Sequence, residues 1–381
     1  MPSPGLDRRP HGKLAIGTGG YRAFVPAALP PEITWGETLA FRLSAADRSI
    51  GRLAGEGRRL PNPHLLIRPF IRKEAVLSSR IEGTQASLGE LLAAEAGAAV
   101  ERSPADLREV GNYVTALEYG LERLESLPLS LRLVRELHER LMRDVRGDIA
   151  TPGEFRRSQN WIGRPGSTLD DATYVPPPPS ELISCLSDWE QFLHDGTFPP
   201  LVHAALVHAQ FEAIHPFLDG NGRVGRLLIT LLLAHREVMP SPLLYLSAYF
   251  EATRPEYYAR LLGITERGEW EEWLVYFLNG VASQSEDAIG RIERIDSLLS
   301  GWKSELARVR SRLPEMALDL FSANPFWTVG ALAERLDVAY TTAQRAVNRL
   351  EDLGAVSRVG DDRRNRVYCA QAILNVLEEI T

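Results

Sequence analysis

Two apolar runs separated by twelve residues of a different character constrain this chain more than any other feature. Leu201 to Ile214 has no proline after Pro200 and carries Leu201, Ala204, Ala205, Val207, His208, Phe211 and Ile214. That spacing reads as a buried helix. Leu227 to Ala234 reads as a second. Between them lies His215-Pro216-Phe217-Leu218-Asp219-Gly220-Asn221-Gly222-Arg223-Val224-Gly225-Arg226. A polar loop fixed between two core helices is the rigid mount that a site needs.

The loop is rich in chemistry. Three glycines within six positions let the backbone turn and approach a ligand closely. Successive N–H groups in such a turn form an anion-binding nest. A helix expected to start near Val224 would add the partial positive charge of its N-terminus. Arg223 and Arg226 bring guanidinium forks suited to phosphate oxygens. Asp219 is a hard oxygen ligand, suited to Mg²⁺. His215 titrates near neutral pH and can accept a proton. Any one of these residues alone reads as part of a solvated turn. Together they supply a base, a metal ligand and a polyphosphate cradle.

The stretch resembles the signature of Fic-domain proteins, HxFx(D/E)GNGRxxR, and every specified position matches. The resemblance implies an all-helical core that transfers AMP from ATP to a hydroxyl of a protein side chain. By position, His215 corresponds to the base that deprotonates the target, and Asp219 to the Mg²⁺ ligand. Gly220 to Gly222 correspond to the anion hole, with Asn221 near the α-phosphate. Arg223 and Arg226 correspond to the β- and γ-phosphate contacts, and Val224 and Gly225 complete the nucleotide-binding run.

The remaining chain fits around this core. A length of 381 residues suggests two or three domains, and 44% apolar residues suffice for real cores. A net charge of −7 gives no global attraction to nucleic acid or anionic membrane. Cys185 and Cys369 are too few and too far apart for a disulfide framework or a zinc site. Met1 to Lys13 has no apolar leader core, and no run approaches membrane-spanning length. The default expectation is the cytoplasm, with no membrane partner.

In chain order, Met1 to about Gly20 is Pro/Gly-rich and reads as poorly ordered. Tyr21 to Pro26 reads as an extended arm, and helical patterning begins near Glu37. Ile71 to Leu92 holds Ser78-Ser79-Arg80-Ile81-Glu82-Gly83, with Gly83 placed to end a helix. On base rates Glu82 is a solvated charge. The six residues nevertheless resemble the Fic inhibitory motif, (S/T)xxxE(G/N), with Ser78 and Glu82 at its specified positions. In that family the glutamate pairs with the second arginine of the signature, here Arg226, and blocks placement of the γ-phosphate. Leu107–Leu124 and Leu131–Val145 read as amphipathic core helices, with His138 a surface or satisfied core residue rather than a ligand.

Gly153 to Pro179 carries short β-favouring pieces, Gln159–Ile162 and Thr173–Val175, around a Gly/Pro-rich tip. It reads as a β-hairpin. By resemblance it is the flap that docks the target backbone by strand addition, with Trp161, Ile162, Tyr174 and Val175 as its working residues. Glu181–His194 reads as a short helix. Leu243 to Gly280 is rich in aromatic residues, most of them core by spacing. The resemblance favours Tyr258 at the nucleoside, although spacing alone does not choose it over Tyr249 or Tyr257. Gln284 to Leu313 reads as a long connector helix whose apolar stripe would serve a homodimer equally well.

From Pro314 two short helices, Val329–Leu336 and Thr341–Leu353, precede two strands, Ala355–Val359 and Arg366–Tyr368. This resembles a winged helix-turn-helix, with Arg345 and Arg349 facing outward on the second helix and Arg363 and Arg364 in the wing. Seven arginines, no lysine and ten acids give this part a net charge of −3, so DNA and protein remain equally open as its partner.

The sequence thus predicts a mainly α protein: an all-helical Fic core with a β-hairpin flap, plus a C-terminal winged helix. Its segments are 1–105 (arm and inhibitory helix), 106–282 (catalytic core, flap 153–179), 283–313 (connector) and 314–381 (winged helix). The expected function is auto-inhibited AMP transfer from ATP, with Mg²⁺, to a target protein and to itself. The alternatives are a DNA-binding regulator with a nucleotide-sensing core, or a Fic enzyme that uses another nucleotide donor or removes AMP.

Overall fold

The computed structural model describes residues 8–59, 63–98, 100–145, 151–164, 166–307, 311–360 and 366–379. Three short strands, β1 (Arg8–Arg9), β2 (Gly12–Ile16) and β3 (Arg22–Pro26), open the chain. Then come α1 (Glu37–Arg59), α2 (Pro63–Ile81), α3 (Leu88–Glu95), α4 (Pro104–Arg123), α5 (Leu131–Leu141) and α6 (Pro179–Leu193). The central pair is α7 (Pro200–Ile214) and α8 (Asn221–His235). It is followed by α9 (Ser247–Ala252), α10 (Arg254–Arg267) and the 37-residue α11 (Trp270–Leu306). The C-terminal part comprises α12 (Leu313–Ala323), β4 (Phe326–Thr328), α13 (Val329–Arg335), α14 (Tyr340–Asp352), β5 (Ser357–Val359), β6 (Val367–Cys369) and α15 (Gln371–Glu378). The protein is mainly helical, as its sequence predicts. No helix among the described residues is long and apolar enough to cross a membrane.

The chain divides into two compact units. The first comprises Met1–Gly51, Asn112–Pro240 and Leu246–Ser283. Its axis is α7, in which Leu201 to Phe211, Ala213 and Ile214 are all buried. Pro200 opens the helix at the position where its missing N–H costs nothing. The helix has no polar face because neighbours surround it. α6, α8, α10 and β3 pack on it. Trp189 and Trp273 each donate an indole N–H, at 3.0 Å, to the carbonyls of Val207 and Ala205. Each large side chain buried here contributes on the order of 1.5–3 kcal/mol.

The N-terminal strands correct the expectation of disorder before Gly20. β1, β2 and β3 form an antiparallel sheet in that order, with Leu14 opposite Phe24 and Ala15 opposite Ala23. Residues 1–7 lie outside the described residues. Gly17 to Gly20 form the turn, closed by the Gly20 N–H on the Gly17 carbonyl at 3.0 Å. The pairing takes the chain's polar backbone into a ladder, which Gly and Pro content alone does not reveal.

The second unit comprises Arg52–Gly111, Ser241–Tyr245 and Gln284–Thr381. α2 ends at Ile81, and Gly83 leaves the turn at φ +104°, a conformation favouring glycine. α3 then starts on a reciprocal cap: the Glu90 N–H donates to Ser87 Oγ (3.1 Å) and the Ser87 N–H to Glu90 Oε2 (2.8 Å). α12 packs on α2 and on α14. α14 buries Ala343, Ala346, Val347 and Leu350, one stripe at helical spacing. The strands form an antiparallel sheet of order β4-β6-β5, so Phe326–Thr328, just before the expected helix at Val329, adds a third strand to the two expected. Arg291, buried, donates to the carbonyls of Val376 and Glu379 at the end of α15 and is charge-paired with Asp287 at 2.7 Å.

Candidate active site

The candidate site is the turn from α7 into α8. His215 ends α7 in the left-handed region (φ 49°, ψ 61°). That conformation costs a side-chain-bearing residue on the order of 1 kcal/mol, so the surroundings must hold it. Asp219 lies exposed at the turn's tip; its Oδ1 accepts from the Gly220 N–H at 2.6 Å. Gly220, at φ 78°, is the N-cap of α8. A Cβ there would meet Met142 Sδ at 2.9 Å, so both the conformation and the space require glycine.

α8 starts at Asn221, three residues before the position expected from the sequence. Gly222 and Gly225 lie inside the helix rather than in the turn. The N–H groups of the first helical turn, which form its anion-binding end, therefore belong to Asn221, Gly222 and Arg223. The Asn221 side chain is committed to the turn. Its Oδ1 accepts from the Phe217 N–H and its Nδ2 donates to the Phe217 carbonyl, both at 2.8 Å. Its backbone N–H, rather than its side chain, is what it offers at the helix start.

The two arginines differ from the simple picture of two exposed forks. Arg223 is 4% exposed, with Nη2 at 3.8 Å from Asp219 Oδ1 and 3.6 Å from Met142 Sδ. Arg226 is 2% exposed and lies within hydrogen-bond reach of Tyr257. The Tyr257 hydroxyl also meets His208 Nε2 at 2.8 Å. Burial pushes the His208 imidazole down to about 3, and the Arg226 charge pushes in the same direction. Burial holds the Tyr257 phenol well above its ordinary range. Gly225 allows this packing: a Cβ would stand 2.4 Å from Glu212 Oε1 and 3.3 Å from the His208 ring. Val224 is buried beside it.

His138 of α5 braces the turn from below. The Gly153 N–H donates to its Nδ1 at 2.9 Å, so Nε2 carries the proton and donates to the Asp219 carbonyl at 3.0 Å. The ring stacks on Phe217 with centroids 3.7 Å apart. Burial, the largest cause, pushes its pKa down to about 4 and keeps it neutral. It is the satisfied core residue that the sequence suggests, and its partners are the site's own backbone.

The flap is less regular than the predicted hairpin. One antiparallel bridge, Ile162 with Tyr174, joins its arms through two backbone hydrogen bonds of 2.8 and 3.0 Å. Trp161 and Ile162 are 41% and 36% exposed. Tyr174 turns inward and donates to the Ala213 carbonyl at 2.7 Å, while the Val175 carbonyl accepts from the Phe24 N–H of β3 at 2.9 Å.

Among the three tyrosines, Tyr257 is buried in an aromatic cluster with Phe250 and Trp273. Tyr249 is half-buried, against Tyr276. Tyr258 is 42% exposed, with the Arg254 guanidinium 5.8 Å from its ring centre. Of the three it has the most open face. Ser78 and Glu82 belong to the second unit, Ser78 fully buried on α2 and Glu82 exposed just after its end. Arg156 and Asn160, which sequence reasoning passed over, are buried between flap and turn.

Comparison with known proteins agrees with this picture. Residues 41–122 match the Fic/DOC family N-terminal region and residues 128–233 the Fic/DOC family itself. These two segments of the chain are Fic/DOC family regions. The protein adenylyltransferase Fic of Drosophila yakuba is 36% identical over 113 residues, which are 29% of this chain and 21% of that protein. The chain thus spans about a fifth of the length of that relative. A Fic family protein from Desulfovibrio desulfuricans G20 has a similar fold over 90% of this chain and 98% of its own, with TM-score 0.60 and 20% identity. Fic-1 from C. elegans is similar over 67% of this chain and 74% of its own, with TM-score 0.51 and 23% identity.

Proposed function

We propose that the protein is an adenylyltransferase that moves AMP from ATP to a Tyr, Thr or Ser hydroxyl of a target protein and of itself. The observation that carries this reading is the turn itself. It holds His215, the exposed Asp219 carboxylate and the first N–H groups of α8, Asn221 to Arg223, within one nine-residue span. The Drosophila relatives, matched over part of their length, are named protein adenylyltransferases.

The Asn221 to Arg223 N–H groups and the dipole of α8 receive the donor's phosphates, with Arg223 and Arg226 taking the outer charges. Asp219 fits a Mg²⁺ ligand: its carboxylate is 57% exposed, and this ion is usually held by one or two carboxylates together with substrate phosphates. When bound, the ion neutralises phosphate charge. His215 takes the proton of the target hydroxyl as that oxygen bonds to the α-phosphorus. The bond from the α-phosphorus to the bridging oxygen breaks, and pyrophosphate leaves. Rate comes from positioning and preorganised charge rather than from an enzyme-bound intermediate. The target backbone adds to the flap at Trp161, Ile162, Tyr174 and Val175, and the adenine stacks at Tyr258, a contact worth roughly 1–3 kcal/mol.

Regulation falls to Ser78 and Glu82. In this reading Glu82 pairs with Arg226 and withholds it from the γ-phosphate, so Glu82→Gly raises self-modification. Unchanged self-modification in that variant reduces Glu82 to a structural residue. The C-terminal segment supports a winged helix: α13 and α14 lie between β4 and the β5–β6 pair of one three-stranded sheet, and Arg345 is exposed on α14. Arg363 and Arg364 of the expected wing lie outside the described residues. With a net charge of −3 over this segment, we read it as docking protein rather than DNA; duplex binding with a steep salt slope would reverse that. The segments 1–105, 106–282, 283–313 and 314–381, and the dimer surface on the connector, stand as parts of this proposal. Two buried free cysteines and an ATP donor suit a reducing, ATP-rich compartment such as the cytoplasm.

Transfer from labelled ATP tests the proposal. His215→Ala is expected to bind ATP and transfer none. Normal transfer by that variant would remove His215 from the mechanism.

A further inference from the structure

A helix leaves its last carbonyls unsatisfied, and α7 ends at the candidate base. Its own chain does not meet most of that need. The Ala213 carbonyl accepts from the Tyr174 hydroxyl at 2.7 Å. The Ile214 carbonyl accepts from Arg156 Nη2 at 3.4 Å. The His215 carbonyl accepts from Arg156 Nε at 2.9 Å and from Asn160 Nδ2 at 3.3 Å. The Pro216 carbonyl accepts from the Arg156 N–H at 2.9 Å, and the Phe217 carbonyl from Asn160 Nδ2 at 2.7 Å. Five successive carbonyls across the base are thus capped by residues of the flap segment.

Arg156 also holds both arms of the flap. Its Nη1 donates to the Ser158 carbonyl at 3.3 Å and its Nη2 to the Pro177 carbonyl at 2.5 Å. The side chain is 3% exposed. A planar fork of five N–H donors can serve carbonyls on three strands of backbone at once; a lysine ammonium, a single point with three donors, cannot. The neighbouring Arg157 is exposed and paired only with Glu154 among the described contacts. The fork at 156 therefore spans the flap's two arms and the left-handed turn that aims the base.

We infer that Arg156 is a positioning residue: it fixes the left-handed turn of His215 and couples that turn to the flap, so that a target seated on the flap meets an aligned base. This rests on the reading of His215 as the base. A merely structural arginine would hold the flap without affecting the imidazole.

The test uses the full-length protein. Arg156→Lys and Asn160→Ala are compared with wild type, all in the Glu82→Gly background, by the rate of self-modification against MgATP concentration. The His215 imidazole is followed by NMR of ¹³C-labelled histidine, with His215→Ala for assignment. Misplacement of a reacting group by about 1 Å costs on the order of 10²-fold. Arg156→Lys is expected to lower the maximal rate about 10–100-fold, to keep the ATP KM within about twofold, and to shift or broaden the His215 signal. Added guanidinium is expected to restore part of the rate to Arg156→Ala. A near-normal maximal rate, or a His215 signal unmoved in folded Arg156→Lys, overturns the inference. If Arg156→Lys does not fold, the same readings on Asn160→Ala decide, with a smaller effect in the same direction expected. The NMR signal needs no turnover. A protein that transfers no AMP therefore counts against the proposed function, while the spectrum still decides the role of Arg156.

Discussion

The turn at 215–221 and the flap that caps it are built on opposite terms. In the turn, the carbonyls from Ala213 to Phe217 and of Asp219 all have donors, and Asn221 closes it from within. In the flap, one bridge joins the arms, and Trp161 and Ile162 face outward. The difference separates two tasks. Chemistry needs groups held in place before the substrate arrives. Docking by strand addition needs backbone and apolar surface left unpaired. The same flap residues serve both, because Arg156 and Tyr174 point into the turn while Trp161 points out.

The largest effect is expected from pH. Burial holds the pKa of His208 down at about 3 in the folded protein, while an unfolded histidine takes a proton near 6.5. The unfolded chain therefore binds more protons below 6.5, and stability falls as pH drops through that window. This one group accounts for a loss on the order of 2–3 kcal/mol at pH 4.5. Burial lowers the pKa of His138 and His203 too, in the same direction. Urea midpoints across pH should show the fall, and His208→Gln should flatten it; an unchanged slope would mean that His208 is not held neutral.

Gly225→Val comes next. Its side chain would collide with Glu212 and His208, an overpacking that costs roughly 1–3 kcal/mol. Thermal unfolding measures this; a variant that melts with wild type would mean that α8 is not packed tightly against Glu212 and His208. Ile162→Pro removes the N–H that pairs with the Tyr174 carbonyl at 2.8 Å. About 0.5–1.5 kcal/mol of stability should go with that bond, while ATP binding by calorimetry stays unchanged. Weakened ATP binding would show that flap and nucleotide site are not separate. Trp161→Ala should be smallest, within about 0.5 kcal/mol in stability because the ring is exposed. A larger loss would make Trp161 core rather than docking surface.

The sequence reveals the turn because its working residues are consecutive. Position alone brings His215, Asp219 and Arg223 together, so no fold needs to be known. The start of α8 is less legible, since glycines at 222 and 225 look like loop when only Gly220 has the turn's positive φ. β2 is hidden for the same reason, although Tyr21 to Pro26 reads as extended and contains β3: Gly17, Gly19 and Gly20 mask the ladder of five residue pairs that joins the two. The start of α11 at Trp270 is obscured because its buried aromatic residues and its later stripe look like separate helices. Arg156, Asn160 and His138 could not be read at all as parts of the site. Their partners are backbone carbonyls and N–H groups distant in sequence, which carry no residue signature. Nothing in Arg156-Arg157 says which of the two is buried.

Intact-mass spectrometry after incubation with MgATP reads the role of His215 without assuming a target protein. The proteins to compare are wild type, Glu82→Gly and His215→Ala. The account predicts a gain of one AMP per modified site in Glu82→Gly, less in wild type and none in His215→Ala, since general-base assistance is worth roughly 10²–10⁴-fold. An equal gain in His215→Ala and wild type would contradict it, because the turn would then not carry the base.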